Sequence, residues 1–254
     1  MKIGLISGHR IPGLIRTKET VSVETAYGSV TVELASVGEH TVFFINRHGE
    51  QATLPPHKIN YRANIEALSS SHVDCVLAVS AVGSLKNKIK PGDFVIPHDF
   101  IDCTKSRRYT FFDEQRIHVD MANPYCPALR ETLIETAATV PSTMIHDKGV
   151  YLTTEGPRLE TVTEIQYFSQ FADIVGMTGV PEVVLAREKE MCYASLCIVC
   201  NMAAGLQKIL TAEEITRLFK KQEPLVNKIL RNAIESLTEK RTCSCRNRVS
   251  KAML

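Results

Sequence analysis

The sequence predicts a single α/β domain in which a mixed, largely parallel sheet is flanked by helices. In the second half of the chain, segments with apolar residues at helical spacing alternate with short apolar runs typical of strands. Such alternation implies a sheet that carries helices on its faces. A chain of 254 residues with no recognisable linker is also short enough to fold as one large α/β domain.

Apolar runs in the first half of the chain predict four strands, over residues 2–6, 30–34, 41–45 and 74–80. Apolar residues at helical spacing predict a helix over residues 60–68, just before the fourth strand. The fourth strand is continuously apolar, which is typical of a strand buried on both faces. It is therefore expected at the centre of the sheet.

The second half of the chain continues the pattern with four strands, over residues 94–97, 149–153, 174–177 and 193–200. Helices are predicted over residues 129–138, 161–171, 182–189 and 212–237. Thr211 precedes the last helix and Glu214 follows three residues later, a spacing that indicates a capping box. The sequence contains no internal repeat and no low-complexity segment.

Composition restricts the class of protein. Apolar residues make up 44% and charged residues 23%, the balance of a globular protein with a substantial core. The formal net charge is only +2, and basic residues cluster only in residues 240–251, which argues against a nucleic-acid partner. No apolar run approaches the length of a membrane helix, and the N-terminus begins a strand pattern instead of a signal peptide. We therefore expect a cytoplasmic protein without a membrane partner.

The chain has eight cysteines, and six of them lie in apolar contexts where a thiol packs as a small hydrophobe. Cys243 and Cys245 differ because they lie in a basic tail, residues 241–254, beyond the domain predicted for residues 1–240. Their spacing is too tight for the usual two-cysteine zinc knuckle, and no other His, Cys or Glu spacing indicates a metal site. An exposed dithiol, a strained disulfide and an incidental tail are the alternatives for this pair.

Polar residues cluster where the predicted strands end, which is where an open α/β sheet binds its ligands. The five clusters are residues 7–10, 46–49, 80–84, 177–182 and 200–205. Hydroxyls, glycine N–H groups and the bidentate guanidinium of Arg47 suit a tetrahedral oxyanion. Any one cluster could be only a turn, but five together favour a phosphate site.

Several other site types are not indicated. The sequence has neither a Walker loop nor the three-glycine dinucleotide fingerprint, and residues 7–10 lack the glycines that such a fingerprint needs. It has no nucleophile elbow either. Covalent and metal catalysis are therefore not expected, and no cofactor is predicted.

Five motifs occur in a familiar order: Arg47-His48-Gly49, Pro-Pro-His-Lys-Ile-Asn-Tyr-Arg-Ala-Asn at residues 55–64, Ser-Ala-Val-Gly-Ser-Leu at 80–85, Thr-Glu-Gly-Pro-Arg at 154–158, and Gly-Met-Thr-Gly-Val-Pro-Glu at 176–182. They resemble the trimeric purine nucleoside phosphorylase and methylthioadenosine phosphorylase family. The resemblance extends from Ile3 to about Leu237. It implies the nucleoside phosphorylase fold, with inorganic phosphate as co-substrate.

The resemblance implies a phosphate site made by Ser7, His9, Arg10, Arg47, His48, Ser80 and Thr178, with Met177 as the ribose contact. The first loop departs from the family, which usually reads Gly-Gly-Thr-Gly or Gly-Gly-Ser-Gly where this chain has Ser-Gly-His-Arg. Either His9 and Arg10 bind the anion by charge, or this loop contributes less and affinity rests on the other residues.

The base is expected to contact Glu160 and Asn201, the two residues implied as catalytic. Family members that use adenine place Asp residues beside the base, whereas those that use hypoxanthine or guanine pair a Glu with an Asn. A carboxylate accepts from N1–H of a 6-oxopurine, and a carboxamide donates to O6 while it accepts from N7–H. The remaining substrate contacts implied are Ala81, Val82, Leu159, Ala203, Ala212 and Ile215.

The 5′ end of the nucleoside is predicted to face Ala212 and Ile215, near the place where ordinary purine nucleoside phosphorylases have a histidine. An apolar wall there suits a methylthio group. Residues 200–205 and 176–179 resemble the S-methyl-5′-thioinosine phosphorylases more than the adenosine enzymes. The predicted reaction is phosphorolysis of methylthioinosine to hypoxanthine and 5-methylthioribose 1-phosphate in purine salvage.

A general inosine or guanosine phosphorylase and a methylthioadenosine phosphorylase are the alternatives within the family. A nucleotide-binding regulator that has lost catalysis is the rival class, because the first loop is altered.

Quaternary structure is predicted from the resemblance alone. Residues 55–64 and 109–125 resemble the family's subunit-contact segments, so a homotrimer or hexamer is expected, with His118 reaching into a neighbouring subunit.

Overall fold

The computed structural model describes residues 1–207, 211–240, 242–250 and 252. Its strands are Lys2–Ser7 (β1), Glu19–Thr25 (β2), Gly28–Val37 (β3), His40–Asn46 (β4), Cys75–Ser84 (β5), Phe94–Val95 (β6), Asp99–Cys103 (β7), Ile145–His146 (β8), Val150–Thr154 (β9), Ile174–Gly176 (β10) and Cys192–Met202 (β11). Its helices are Tyr61–Ser70 (α1), Pro127–Ala138 (α2), Val162–Phe168 (α3), Gly179–Glu188 (α4) and Ala212–Ser236 (α5), and Pro56–Lys58 forms a 3-10 turn.

The described strands form one mixed sheet whose main path runs β2-β3-β4-β1-β5-β10-β9-β7. Strand β11 pairs with β5 in parallel and also with β6, which in turn pairs with β8. The pairs β1–β4, β1–β5 and β9–β10 are parallel, whereas β2–β3, β3–β4 and β5–β10 are antiparallel. The prediction of a single α/β domain with a mixed sheet is confirmed.

Strand β5 lies at the centre of the sheet because its side chains are buried on both faces. Leu77 and Val79 pack into a core that includes residues of α2 and α5, and Val76 and Ala78 pack into a second core with residues of α1 and α4. Helices therefore cover both faces, as a continuous apolar strand requires. None of the helices in the described part of the chain combines the length and the apolar character needed to cross a membrane.

Sequence periodicity located most of the elements and missed three strands, β2, β7 and β8. Strand β2 pairs only with β3 and is largely exposed, so its polar residues conceal the two inward-facing valines, Val21 and Val23. Strand β8 is only two residues long.

Helix α3 has the full capping box of Thr161 and Glu164, whereas before α5 only the Thr211 hydroxyl is seen to accept from the Glu214 N–H.

Two clusters that were expected beyond strand ends belong to strands. Residues 80–84 continue β5, and Asn201 lies inside β11. The two strands pair with each other up to Ser84 and Met202, with a bulge between Val199 and Asn201. Backbone pairing along this whole length extends both strands past the point where their apolar runs end. Ser80 and Asn201 are therefore placed by strand geometry, not by loops.

The C-terminal tail packs against the domain. Cys245 is buried and Cys243 is half-buried, so the expectation of an exposed dithiol is wrong for Cys245. Arg246 pairs with Asp74 at 2.8 Å, and Arg248 pairs with Asp120 at 3.0 Å. These contacts argue against an incidental tail, while the division of the chain at residue 240 stays a prediction.

Candidate active site

A cavity of about 260 Å³ lies where β1, β4 and β10 end, beside the outer halves of β5 and β11. Thirteen residues proposed from the sequence line it: His9, Arg47, His48, Ser80, Ala81, Val82, Leu159, Glu160, Met177, Thr178, Asn201, Ala203 and Ile215. Ser7 and Arg10 are not among its lining residues. The side chain of Ala212 lies outside the described residues. Seven separate stretches of sequence thus converge on one pocket.

Two hydroxyl groups mark one end of the cavity. Ser80 Oγ lies 3.5 Å from Thr178 Oγ1, and both residues are buried. Thr178 is the residue before α4, but its hydroxyl makes no capping bond. Because a buried hydroxyl needs a hydrogen-bond partner, this pair is suited to a bound oxyanion.

Glycines allow the Gly-Met-Thr-Gly segment to lie against Tyr151. A Cβ atom added at Gly176 would lie 2.5 Å from the Tyr151 hydroxyl oxygen, and one added at Gly179 would lie 2.7 Å from ring carbon Cε1. Both distances are shorter than van der Waals contact. The two glycines therefore permit the close approach that places Met177 and Thr178 in the cavity wall.

Arg47 is buried and donates hydrogen bonds to three other groups, one of which is the carbonyl of Ile6, 3.4 Å from Nη2. Its Nε donates to Glu182 Oε2 at 2.6 Å, its Nη2 donates to Glu182 Oε1 at 2.8 Å, and its Nη1 donates to the carbonyl of Val79 at 2.9 Å. The bidentate face that was expected to bind phosphate is thus occupied by Glu182. One Nη1 hydrogen remains for an anion in the cavity.

Glu182 was quoted in a sequence motif but given no role, and the structure makes it the partner of Arg47. It is fully buried and also accepts from the Tyr193 hydroxyl at 2.8 Å. Burial alone would lower the pKa of Arg47, but the adjacent carboxylate raises it overall, so the guanidinium stays charged. An acidic residue within the apolar α4 segment was the available signal, since buried carboxylates are rarely unpaired.

The two histidines that line the cavity, His9 and His48, have different neighbours. His48 Nδ1 lies 2.6 Å from the carbonyl oxygen of Leu54, which fixes the proton on Nδ1 and leaves Nε2 as an acceptor. The His9 ring stacks on Phe219 with centroids 4.2 Å apart. Burial lowers the pKa of both histidines below 6.5, and the charge of His48 lowers that of His9 further.

One of the two alternatives for the first loop was that His9 and Arg10 both bind the anion by charge. The structure does not support this role for Arg10. Arg10 forms an ion pair with Glu33 at 2.6 Å and also donates to the Thr17 hydroxyl, so its guanidinium is engaged away from the anion end. Ser7 is buried, and its Oγ accepts from the backbone N–H of His9. Of the three polar residues in this loop, only His9 lines the cavity.

Glu160 and Asn201 also line the cavity, and Asn201 pairs with Gly83, three residues beyond Ser80 along β5. The Thr154 hydroxyl donates to Glu160 Oε1 at 2.6 Å. Asn201 Nδ2 donates to the carbonyl of Met202 at 2.9 Å, which uses one of its two hydrogens. Both side chains are therefore held in place while each keeps free hydrogen-bonding capacity.

Helix α5 provides the remaining wall through Ile215 and Phe219. Phe219 was not predicted, although it follows Ile215 by four residues and so lies on the same helix face. Pro56 and Pro157 are two further lining residues that were not predicted. His118 is exposed and lies outside the cavity of its own chain.

Comparisons with known proteins agree with this geometry. The sequence profile of the Phosphorylase superfamily matches residues 2–235. The S-methyl-5′-thioadenosine phosphorylase of Pyrococcus furiosus is 47% identical over 96% of each chain. The probable S-methyl-5′-thioinosine phosphorylase of Methanopyrus kandleri is 46% identical, also over 96% of each chain. The crystal structure of a methylthioadenosine phosphorylase from an antarctic soil metagenomic library superposes with a TM-score of 0.93 at 33% identity, covering 99% of this chain and 92% of that one.

We expect Glu182→Gln to lower the free energy of unfolding by about 3–5 kcal/mol, because it leaves the buried Arg47 charge without a partner. Chemical denaturation measures this loss. Arg10→Ala is the control, since it breaks the partly exposed pair with Glu33 and should cost about 0–1 kcal/mol. Equal losses in the two variants would contradict a structural role for the buried pair.

Stability should also depend on pH through His9 and His48. Their folded-state pKa values are lowered, so below pH 6.5 the unfolded chain binds more protons than the folded chain. The free energy of unfolding should therefore fall as pH decreases through 6.5 towards the lowered values. Urea unfolding at several pH values, in phosphate-free buffer, measures this slope. If a His9→Asn/His48→Asn double variant shows the same dependence of unfolding free energy on pH, groups other than these histidines cause it.

Proposed function

This chain belongs to the phosphorylase superfamily and is a pentosyltransferase, and on that premise we propose that it cleaves S-methyl-5′-thioinosine with inorganic phosphate. The products are hypoxanthine and 5-methylthioribose 1-phosphate. The observation that carries the proposal is that Glu160 and Asn201 line the same cavity as the adjacent hydroxyls of Ser80 and Thr178. Such a cavity offers one end to a purine and the other to an oxyanion.

The chemistry of the bond explains why both ends are needed. When the ribosyl C1′–N9 bond breaks, its electron pair leaves with the purine, and positive charge develops on the sugar. A phosphate oxygen then forms the new bond to C1′. Groups that hold the phosphate beside C1′ and stabilise the anionic purine lower the barrier. No side-chain nucleophile or cofactor takes part in this scheme.

In this proposal phosphate is held mainly by hydrogen bonds. Ser80 and Thr178 donate their hydroxyls, and Arg47 donates its remaining Nη1 hydrogen. His48 presents Nε2, which accepts from a protonated phosphate oxygen or, once protonated, donates to the anion. Because Glu182 balances the charge of Arg47, the anion end combines modest positive charge with several directed donors.

The base end favours a 6-oxopurine. Thr154 occupies Glu160 Oε1, so we assign Oε2 as the acceptor from N1–H. The second Nδ2 hydrogen of Asn201 donates to O6. Oδ1 accepts from N7–H once the departing purine anion has taken up a proton from water at N7. Adenine has neither an N1–H nor an O6, so it would leave both residues mispaired.

The 5′ substituent is proposed to face the wall formed by Ile215 and Phe219. A methylthio group gains from burial against apolar side chains, whereas a hydroxyl there would lose hydrogen bonds to water. The name of the Methanopyrus kandleri relative supports the same substrate. Ala212 stays part of the proposal on sequence grounds alone.

The main alternative is phosphorolysis of methylthioadenosine, which the names of the Pyrococcus furiosus relative and of the soil enzyme favour. General use of inosine or guanosine is the second alternative. Comparing kcat/KM for methylthioinosine, methylthioadenosine and inosine separates all three.

The proposal includes a cytoplasmic homotrimer or hexamer, as the resemblance implies. A fully active monomer in light scattering would contradict this oligomeric state.

Activity should require phosphate and release one sugar 1-phosphate per free base, and arsenate should replace phosphate. Thr178→Val should lower kcat about 10²-fold, because it removes a preorganised donor to the anion. Thr17→Val is a matched control outside the cavity and should leave kcat unchanged. Release of free methylthioribose without consumption of phosphate would overturn the proposed reaction.

Asn201→Asp should reverse the base preference. The new carboxylate faces O6 of a 6-oxopurine without a donor, whereas its protonated form donates to N7 and accepts from a 6-amino group. Mispairing of this kind changes discrimination by factors of about 10⁴. We expect kcat/KM for methylthioinosine to fall strongly. The ratio of kcat/KM for methylthioadenosine to kcat/KM for methylthioinosine should therefore rise.

Glu160→Gln is the companion variant for the base end. It should weaken 6-oxopurine use with less gain for adenine, since the amide oxygen still accepts from N1–H. A wild-type preference for methylthioadenosine, or an unchanged preference in Asn201→Asp, would show that Asn201 does not select the base.

A further inference from the structure

Four cysteines from three parts of the chain meet on the side of the molecule away from the cavity. Cys126 is the residue before α2, Cys192 is the first residue of β11, and Cys243 and Cys245 come from the tail. All four sulfur atoms lie within 4.8 Å of one another, and the Cys192 and Cys243 sulfurs are 3.3 Å apart. Three of the four residues are buried.

We propose that Cys126, Cys192, Cys243 and Cys245 bind one Zn²⁺ ion in a tetrahedral tetrathiolate site. A Zn–S bond is about 2.3 Å long, which places the sulfurs of a regular tetrahedron about 3.8 Å apart. The Cys192–Cys243 separation of 3.3 Å lies below this value and no sulfur pair exceeds 4.8 Å, so small side-chain shifts complete the geometry. Four thiolates are the ligands that soft, tetrahedral metal ions such as zinc prefer.

Cysteine spacing was the only criterion available in the sequence, and it does not indicate this site. Cys243 and Cys245 are too close for a zinc knuckle of their own, but a knuckle is not needed when two further ligands come from the folded domain. Cys126 and Cys192 precede an α-helix and begin a β-strand, so the rigid part of the fold fixes half of the ligand set. The tail then supplies the other half.

Arg187 provides an independent observation. Its side chain is buried, its Nη1 lies 3.3 Å from Cys245 Sγ, and its Nε and Nη2 have no hydrogen-bond partner within the described part of the chain. No described carboxylate forms an ion pair with it. Asp120 attracts the guanidinium only from beyond ion-pair distance, and a buried cation without a contacting counter-charge is costly. A zinc tetrathiolate carries two negative charges and would supply the missing counter-charge.

The site is structural and not catalytic. It has four protein ligands and hence no open position for water or substrate. Cys192 begins β11, and Asn201 lies nine residues further along the same strand, about 30 Å away at about 3.3 Å per residue. Zinc there would fasten the tail to α2 and β11, beside the tail's contacts with Asp74, Asp120 and Glu190.

Disulfide bonds are the competing outcome for these cysteines. Disulfides join sulfurs in pairs and require no contact between one pair and the other, whereas all four sulfurs here are mutual neighbours. Zinc also requires thiolates, so uptake of the metal by the reduced protein releases the remaining thiol protons. Proton release on metal addition therefore distinguishes binding at thiols from binding at surface carboxylates.

The test uses the full chain, expressed in zinc-supplemented medium and purified anaerobically with a thiol reductant and without chelator. We expect about one zinc per chain by elemental analysis. After removal of the metal, the midpoint of thermal unfolding should fall, and Zn²⁺ should restore it. Co²⁺ should give the visible spectrum of tetrahedral thiolate coordination. Absence of stoichiometric zinc from the reduced protein, or two disulfides among the four cysteines under these conditions, would overturn the proposal.

Variants connect the metal to these residues. Cys243→Ser/Cys245→Ser should lose zinc and the Co²⁺ spectrum, and trypsin should cleave at Arg246 and Arg248 faster than in the wild type. Cys103→Ser changes a cysteine outside the cluster and should keep all three properties. Below its unfolding temperature, the double variant should keep the wild-type phosphorolysis rate. Zinc retained by the double variant would place the metal elsewhere. Metal content and proteolysis do not depend on the substrate, so this test is separate from that of the proposed function.

Discussion

The buried ion pair between Arg47 and Glu182 connects the parts of the fold that enclose the cavity. Arg47 follows β4 and donates to carbonyls of β1 and β5, while Glu182 belongs to α4 and accepts from Tyr193 of β11. Neither charge could be buried alone, because an isolated ion loses several kcal/mol of hydration. Four strands and one helix are therefore fixed relative to one another by a network in which nearly every donor has an acceptor.

This network also determines how the two ends of the cavity differ. Because Arg47 is largely neutralised, the proposed anion binding would depend on directed groups such as Ser80, Thr178 and His48. The proposed base contacts are Asn201, which a bulged strand holds, and Glu160, which Thr154 orients. Both ends are thus preorganised by regular structure, which reduces the reorganisation needed when charge develops in a reaction.

Most of the fold and much of the cavity could be predicted from the sequence, because periodicity and motif order are local signals. The apolar run of β5 and the motif at residues 176–182 are examples. What could not be predicted depends on partners far apart in the chain. Glu182 takes up the bidentate face of Arg47, and Glu33 engages Arg10 away from the cavity. Likewise, no spacing rule relates Cys126 to a tail more than a hundred residues later.

Strand β11 shows how one element can serve two purposes without conflict. Its first residue, Cys192, joins the cysteine cluster, and its penultimate residue, Asn201, lines the cavity at the opposite end. Between them the strand is buried throughout and paired with β5 along its length, so it is one of the stiffest parts of the molecule. A contact that fastens the tail at one end can therefore raise the stability of the whole strand while the position of Asn201 still depends on the local bulge.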